Sequence, residues 1–169
     1  WAVGHSYMVY GPLINRNTTI VFEGKPIMTP DAGTFWRVIS EHKVNAMFTA
    51  PTAMRAIKKE DPNGELIKKY DLSNYRIQFL AGERCDVATL DWFDEHVGIP
   101  AVDHWWQTES GSPMLGLLTG LEDYKIKRAS AGKPIPGYDI KIFDENGYEL
   151  DAHHEGYLVI KLPLAPGAM

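Results

Sequence analysis

The run Arg76-Ile77-Gln78-Phe79-Leu80-Ala81-Gly82-Glu83-Arg84-Cys85-Asp86 decides the fold that the sequence predicts. Its first six residues are typical of a short buried strand, and the Gly-Glu-Arg triplet ends that strand. Asp86 then occupies the N-cap position of a helix whose apolar residues recur at helical spacing, namely Leu90, Phe93 and Val97. A strand that leads directly into a helix is half of a crossover unit, which favours a parallel sheet.

The flanking sequence repeats this order on both sides. Upstream, a β-rich run over residues 18–22 precedes a helix in which Thr29 is the predicted cap, Pro30 the first residue and Lys43 the approximate end. A strand over residues 44–49 and a helix from Pro51 follow, and a further strand is predicted over residues 101–104. The sequence therefore predicts an α/β fold with a mostly parallel sheet flanked by helices.

After about residue 129 the pattern changes to strict alternation of apolar and polar residues. Such alternation covers residues 139–143 and 156–162, which predicts two further strands. Asn146-Gly147 between them is typical of a type I′ hairpin turn. We expect residues 1–128 to form an α/β subdomain and residues 129–169 to begin an antiparallel β-rich subdomain.

The amino-acid composition argues against several classes of protein. The chain has 169 residues, 44% of them hydrophobic, and a net charge of −5 that argues against general nucleic-acid binding. No apolar run approaches the ~20 residues of a membrane helix, and the single cysteine, Cys85, excludes an internal disulfide. A reducing compartment, cytoplasm or mitochondrial matrix, is therefore expected. Trp1 at the start and loop-like residues at the end suggest a piece of a larger protein.

Chemistry is expected at the segment from Asp103 to Gly111, which follows the fourth predicted strand. Ligands of open α/β sheets collect beyond the carboxyl ends of strands. The hydroxyls of Thr108 and Ser110 can bind phosphate oxygens, and Glu109 offers the hard oxygen ligand that Mg²⁺ prefers. From composition alone, an aromatic core plug followed by a polar turn is an equally good interpretation.

Five segments in order carry a resemblance to a known family: Trp1 to Tyr7, Thr49 to Arg55, Leu80 to Arg84, Asp103 to Gly111, and Ala131 to Gly137. In these segments the chain resembles the middle of an acyl-CoA synthetase of the adenylate-forming superfamily, and is most similar to acetyl- and propionyl-CoA synthetases. Leu-Ala-Gly-Glu and Thr-Glu-Ser-Gly together lean toward the propionyl branch.

The resemblance implies a ligase that uses ATP, Mg²⁺ and CoA. In its reaction, ATP and a short carboxylate such as acetate or propionate give an acyl-adenylate and pyrophosphate, and CoA then displaces AMP. Family members also use an upstream phosphate loop and a C-terminal catalytic lysine, which these residues do not supply. We therefore expect the parent protein to be the ligase and this chain alone to be inactive.

The resemblance also implies a role for individual residues. Thr108 would bind the α-phosphate and Glu109 the Mg²⁺. The family more often has proline at the position of Arg84, whose guanidinium can stack on a purine. The nucleotide-binding residues would be Gly82, Glu83, Arg84, Asp103, His104, Trp105, Trp106, Gln107 and Thr108.

A small acyl pocket is implied as well. Trp106 would close its far end, where an indole leaves room only for a short chain, and Ala2, Val3 and Ala81 would line the rest, with Trp1 at the border. One methylene in such a pocket is worth only ~1–3 kcal/mol of discrimination. The small alanines therefore favour propionate modestly over acetate or butyrate.

Two other function classes stay open. One is a non-catalytic module that binds nucleotide or CoA, and the other is an adenylation domain that delivers its acyl group to a different acceptor. The sequence favours a structural role for Cys85 and a surface loop for His153-His154, because adjacent side chains on a strand point to opposite faces.

Overall fold

The computed structural model describes residues 4–121 and 127–164. These residues divide into two compact units, the first up to Val102 and the second from Asp103. The boundary that the sequence predicts between residues 128 and 129 stays a prediction.

The helices of the described ranges lie mainly in the first unit. A π-helix, Gly4–Tyr10, precedes four α-helices: α1 (Gly11–Ile14), α2 (Thr34–His42), α3 (Pro51–Glu60) and α4 (Val87–His96). Two short 3₁₀ turns cover Ile67–Lys69 and Thr108–Ser110. The strands are β1 (Ala46–Thr49), β2 (Ile77–Leu80), β3 (Ala101–Trp105), β4 (Leu115–Gly116), β5 (Lys133–Pro134), β6 (Ile140–Phe143) and β7 (Tyr157–Ile160).

The strands form a mixed sheet and a separate strand pair. The order in the five-stranded sheet is β1-β2-β3-β4-β5, and β1 pairs with β2 in parallel. The β3–β4 and β4–β5 pairs are antiparallel, as is the separate β6–β7 pair. The predicted α/β class with an antiparallel β continuation is confirmed, and the sheet becomes mixed at β4.

Strand β2 lies at the centre of the first unit. Leu80 is 1% exposed and Gln78 is fully buried. The Gln78 side-chain amide is satisfied by the carbonyls of Met47 and Phe79, at 3.2 and 2.7 Å, while its oxygen accepts from the Tyr75 hydroxyl at 2.6 Å. Burial raises the pKa of Tyr75, so this hydroxyl stays a donor. A buried amide with every polar atom paired fixes the position of β2.

Apolar faces of the helices complete this core. Trp36 of α2 is fully buried and lies near Phe93 of α4, with ring centroids 6.5 Å apart. Met54 and Ile57 of α3 are also buried, as the three-residue spacing of an inward face requires. The apolar spacing that the sequence gives for α4 is confirmed at two of its three positions, Leu90 and Phe93, which are buried.

The upstream part of the sequence prediction is wrong in two places. Residues 18–22 form no strand, and α2 begins at Thr34 rather than at Pro30. The Asp31 carboxylate accepts the Gly33 N–H at 2.7 Å, and the Asp31 carbonyl accepts the Thr34 hydroxyl at 2.7 Å. This local turn competes with helix geometry at residues 30–33. The predicted helix end at Lys43, which has φ +52°, is confirmed.

The turn after β6 also differs from the prediction. Gly147 has φ +85°, but Asn146 does not have the positive φ that a type I′ turn requires at both central residues. The Asp144 carboxylate accepts the N–H groups of Asn146 and Tyr148, at 2.9 and 2.8 Å. The chain then bridges from Glu149 back to Phe143 before it reaches β7. The acidic side chain, rather than Asn-Gly alone, sets this turn.

No helix within residues 4–121 and 127–164 has the length and apolar character needed to cross a bilayer.

Gly132 lies where the backbone closely approaches β4. A Cβ at this position would lie 2.0 Å from the Gly116 carbonyl oxygen, and φ is +93°. We expect Gly132→Ala to lower the free energy of unfolding by about 2 kcal/mol or more, because both strain and a backbone clash oppose it.

Gly147→Ala is the matched control for Gly132→Ala. Gly147 has a similar φ of +85°, but the position that a Cβ would take there lies in open space. Its substitution therefore carries only the left-handed backbone penalty of about 1 kcal/mol. Urea denaturation of both variants measures the difference. Equal losses would contradict the close approach at Gly132.

Candidate functional site

The loop that follows β2 presents the first group of predicted site residues. Ala81 is 4% exposed, whereas Gly82, Glu83 and Arg84 are exposed. Gly82 has φ +97°, and no atom lies within 4 Å of the position that a Cβ would take. The positive φ selects glycine there, and the open space above it lets a flat ring approach the backbone.

The Glu83 side chain turns back onto the first turn of α3. Pro51 at the start of this helix has no N–H, and Ala50 at the N-cap has no side-chain acceptor. Glu83 supplies that acceptor from 31 residues away: its Oε1 accepts the Thr52 N–H at 2.8 Å and also the Thr52 hydroxyl. A carboxylate at a helix N-terminus satisfies an unpaired donor and complements the helix dipole.

Arg55 holds the second oxygen of the same carboxylate. Its Nη2 lies 2.5 Å from Glu83 Oε2, and its Nη1 lies 3.5 Å from Asp86 Oδ2. The hydrogen bond from Thr52, with the neighbouring Arg55, lowers the pKa of the Glu83 carboxyl. Burial opposes the charge of Arg55, but its bonds to Glu83 and Asp86 outweigh it and raise the pKa of Arg55. Glu83 and Arg55 therefore both stay ionised at neutral pH.

Asp86 joins this group to α4. Its Oδ1 accepts the Thr89 N–H at 2.9 Å, and its Oδ2 accepts the Thr89 hydroxyl at 2.9 Å. Partial burial opposes ionisation, yet the bonds from Thr89 outweigh it and lower the pKa of Asp86. The N-cap that the sequence predicts at Asp86 is confirmed.

The second group of predicted site residues lies in the other unit, at the end of β3. The strand ends at Trp105, and the chain enters the turn Thr108–Ser110 after Gln107. The Ser110 hydroxyl accepts the Gln107 N–H at 3.3 Å and lies 2.8 and 2.9 Å from the carbonyls of Gln107 and Ser112. Ser110 is 5% exposed, so its hydroxyl works inside the turn.

The same turn exposes its first two side chains. Thr108 and Glu109 are exposed, while Gly111 ends the turn with φ +64°. His104 and Trp106 lie side by side, with ring centroids 5.0 Å apart, and both are partly buried. Thr108 and Glu109 therefore present accessible side-chain oxygens on a hydrogen-bonded turn, directly after a strand that ends in aromatic residues.

The two groups of predicted site residues lie in different units. Ala81 to Arg84 belong to the first unit and Asp103 to Glu109 to the second, and the roles assigned to them stay predictions. Trp1, Ala2 and Val3 lie outside the described residues.

Sequence reasoning assigned no role to Thr52 and Arg55, although it singled out the segment that contains them. One signal was available: a helix that begins Ala50-Pro51 has no side-chain cap of its own and needs an acceptor from elsewhere. Ser110 was predicted to bind phosphate, but its hydroxyl is engaged within the turn. Cys85 is buried, in line with a structural role.

Within the described residues, no group of three or more His, Cys, Asp or Glu side chains could hold a metal ion. Mg²⁺ at nucleotide sites is commonly held by one or two carboxylates together with substrate phosphates and water. Glu109 offers one exposed carboxylate, which fits a Mg²⁺ ion held mainly by phosphates and water. One carboxylate is too few for a site built from protein ligands alone.

Comparison with known proteins points to one family. The sequence profile of the family described as "AMP-binding enzyme" matches residues 1–167. The chain is 52% identical to mouse (Mus musculus) mitochondrial acyl-CoA synthetase short-chain family member 3, over 99% of the chain and 25% of that protein. It is 42% identical to propionate–CoA ligase of Salmonella typhimurium, over 100% of the chain and 27% of that protein. The chain thus spans about a quarter of the length of these relatives.

Two solved structures are similar in fold to nearly the whole of this chain. A crystal structure of Brucella canis acyl-CoA synthetase superposes with a TM-score of 0.82 at 32% identity, over 95% of this chain and 28% of that one. The anthranilate–CoA ligase AuaEII, in complex with anthranoyl-AMP, superposes with a TM-score of 0.79 at 24% identity, over 99% and 30%. The second likeness concerns the fold alone.

We expect Asp86→Ala to lower the free energy of unfolding by about 1 kcal/mol, because the first turn of α4 loses the acceptor for the Thr89 N–H. The folded pKa of Asp86 lies below its ordinary value of 3.8. Its contribution is therefore complete above that pH and is lost as the pH falls through the lower folded value.

Urea denaturation at neutral and at acidic pH measures the effect of Asp86→Ala. Asp86→Asn, which keeps a capping oxygen, is the matched control and should stay close to the wild type at neutral pH. A deficit of equal size in both variants would contradict the capping role.

Proposed function

The chain belongs to the AMP-binding enzyme family, and on that premise we propose that it is the nucleotide- and acyl-binding part of an AMP-forming short-chain acyl-CoA ligase. In the proposed reaction, ATP and a short carboxylate give an acyl-adenylate and pyrophosphate. CoA then takes the acyl group and AMP leaves. Because the chain spans about a quarter of its ligase relatives, we place turnover in a longer protein that contains it and none in this chain alone.

The turn Thr108–Ser110 carries this proposal. Its backbone is fixed from inside by the Ser110 hydroxyl, and Thr108 and Glu109 remain exposed. Attack of a carboxylate on a phosphate brings two anions together, so charge must be cancelled and the groups aligned. We assign Thr108 as a donor to the α-phosphate and Glu109 as the carboxylate that holds Mg²⁺ with the phosphates. Bound Mg²⁺ neutralises phosphate charge.

The loop after β2 supports an adenine-binding role. Its backbone is exposed at Gly82, and only the neighbouring residues lie within 4 Å of the position that a Cβ would take there. Arg84 is exposed next to it and carries a planar guanidinium suited to stacking on a purine. We assign Gly82, Glu83 and Arg84 to the adenine, and Asp103 to Gln107 to the remainder of the nucleotide.

The preferred acid is proposed to be propionate. Trp106 is partly buried beside His104, and an indole in that position suits the closed end of a short pocket. Ala81, together with Ala2, Val3 and Trp1, is assigned to the rest of the pocket. Two relatives named above, a short-chain acyl-CoA synthetase and a propionate–CoA ligase, agree with a short acid. We place the protein in a reducing compartment, cytoplasm or mitochondrial matrix; the mouse relative is mitochondrial by name.

The first test is Glu109→Gln in the full-length protein. We expect turnover with ATP and propionate to fall about 100-fold, because one carboxylate ligand to the phosphate-bound cation is lost. Pyrophosphate release measures it. Glu145→Gln, at an exposed turn of the second unit, is the control and should leave turnover unchanged. Full activity of Glu109→Gln would overturn the assignment.

The pocket is tested by Trp106→Gly in the same protein. Removing the indole should lengthen the preferred acid, so that kcat/KM for a six-carbon acid relative to propionate rises by about tenfold or more. Competition between the two acids measures this ratio directly. An unchanged chain-length profile contradicts the assignment of Trp106.

The same assays separate the two other function classes. Adenylate formation without transfer to CoA would indicate an adenylation enzyme with another acyl acceptor. Binding of ATP without pyrophosphate release, for any short acid, would indicate a non-catalytic nucleotide-binding module.

A further inference from the structure

Both side-chain oxygens of Glu83 are engaged by residues of α3. Oε1 accepts two donors from Thr52, and Oε2 lies 2.5 Å from the Arg55 guanidinium. The carboxylate is therefore directed at α3, and what Glu83 offers to a ligand in the loop is its backbone. The side chain acts by fixing that backbone.

Arg55 connects three parts of the first unit at once. It projects from α3, it pairs with Glu83 in the loop, and it reaches Asp86, which caps α4. Its Nη2 also lies 3.4 Å from the Thr52 hydroxyl, which bonds the same carboxylate. The loop from Gly82 to Arg84 is thus tied to one helix before it and to another after it.

We propose that Arg55 is a positioning residue, which holds Glu83 and Asp86 so that the Gly82–Arg84 backbone keeps the conformation that receives adenine. This inference rests on the proposed function, because it assumes that the loop contacts the nucleotide. Arg55 itself touches no ligand. It acts through the loop that it fixes, in the way that supporting hydrogen bonds orient a binding constellation.

Stability alone does not account for this arrangement. The side chains of Arg55, Glu83 and Asp86 are 35%, 39% and 49% exposed, and ion pairs at such exposure add little to folding. Helices α3 and α4 are also joined independently, because the Lys58 Nζ donates to the Ala88 carbonyl at 2.7 Å. Loss of Arg55 should therefore leave the fold in place and loosen the loop.

Replacing the Arg55 side chain in the full-length protein tests the proposal, because its guanidinium joins Glu83 to Asp86. Arg55→Met keeps the alkyl stem and removes the charge and the donors, while Arg55→Lys keeps the charge and one point of contact. We expect Arg55→Met to raise the Kd of AMP, measured by calorimetry, about tenfold, because the loop loses its pre-organisation. Arg55→Lys should recover part of this loss. The KM of the carboxylate should stay within about twofold of the wild type.

Arg37→Met is the matched control. Arg37 forms an exposed ion pair with Glu41 at 2.9 Å on α2, and we assign neither residue to the site. This variant should bind AMP as the wild type does. The thermal midpoints of all three variants should stay close to that of the wild type.

Three results would overturn the proposal: an unchanged Kd of AMP in Arg55→Met, an equal rise in the KM of the carboxylate, or loss of the folded state in that variant. Failure of the proposed function has a different signature, namely a wild-type protein that binds AMP but releases no pyrophosphate with any short acid. In that case the calorimetric comparison still decides the role of Arg55. A wild-type protein that does not bind AMP contradicts both.

Discussion

Burial of one face of strand β2, the face of Gln78 and Leu80, is the constraint on which the first unit depends. Its parallel pairing with β1 requires a crossover, and α3 supplies it. Because Gln78 is fully buried on this face, its polar side chain needs partners, and each of its polar atoms has one. Helices α2 and α4 then bring Trp36 and Phe93 into the same core. The loop that follows β2 leaves this core at a fixed point.

The loop after β2 is exposed, yet side-chain hydrogen bonds to the two neighbouring helices hold its conformation. Glu83 provides the N-terminal acceptor that α3 lacks, and Asp86 provides the one that α4 needs. Both carboxylates belong to the loop and its end, so the loop is held by the helices that it caps. Arg55 joins the two carboxylates. A backbone stabilised in this way remains open to solvent at Gly82.

The second unit fixes its polar segment by a different means. There the turn after β3 is stabilised by a buried hydroxyl, that of Ser110, and by a left-handed glycine, Gly111. Thr108 and Glu109, the exposed side chains of this turn, are the ones to which we assign contacts with phosphate and Mg²⁺. In both units the residues that hold the backbone differ from those that remain accessible. This division is usual where a scaffold carries a binding site.

The sequence by itself determined the alternation of strands and helices after residue 43, the apolar face of α4, the cap at Asp86 and the location of the polar segment after β3. These features follow from local periodicity and from short-range hydrogen bonds, which the chain encodes within a few residues. The tertiary structure decided what depends on distant partners. Only the fold gives Thr52 an acceptor 31 residues away, and it engages the Ser110 hydroxyl inside a turn where the sequence suggested a ligand contact. Side-chain hydrogen bonds within the chain also compete with the predicted elements. The Asp31 turn moves the start of α2 from Pro30 to Thr34, and the Asp144 turn replaces the predicted type I′ turn after β6. Spacing along the chain cannot show which acceptor a donor will meet, because that depends on how the elements pack.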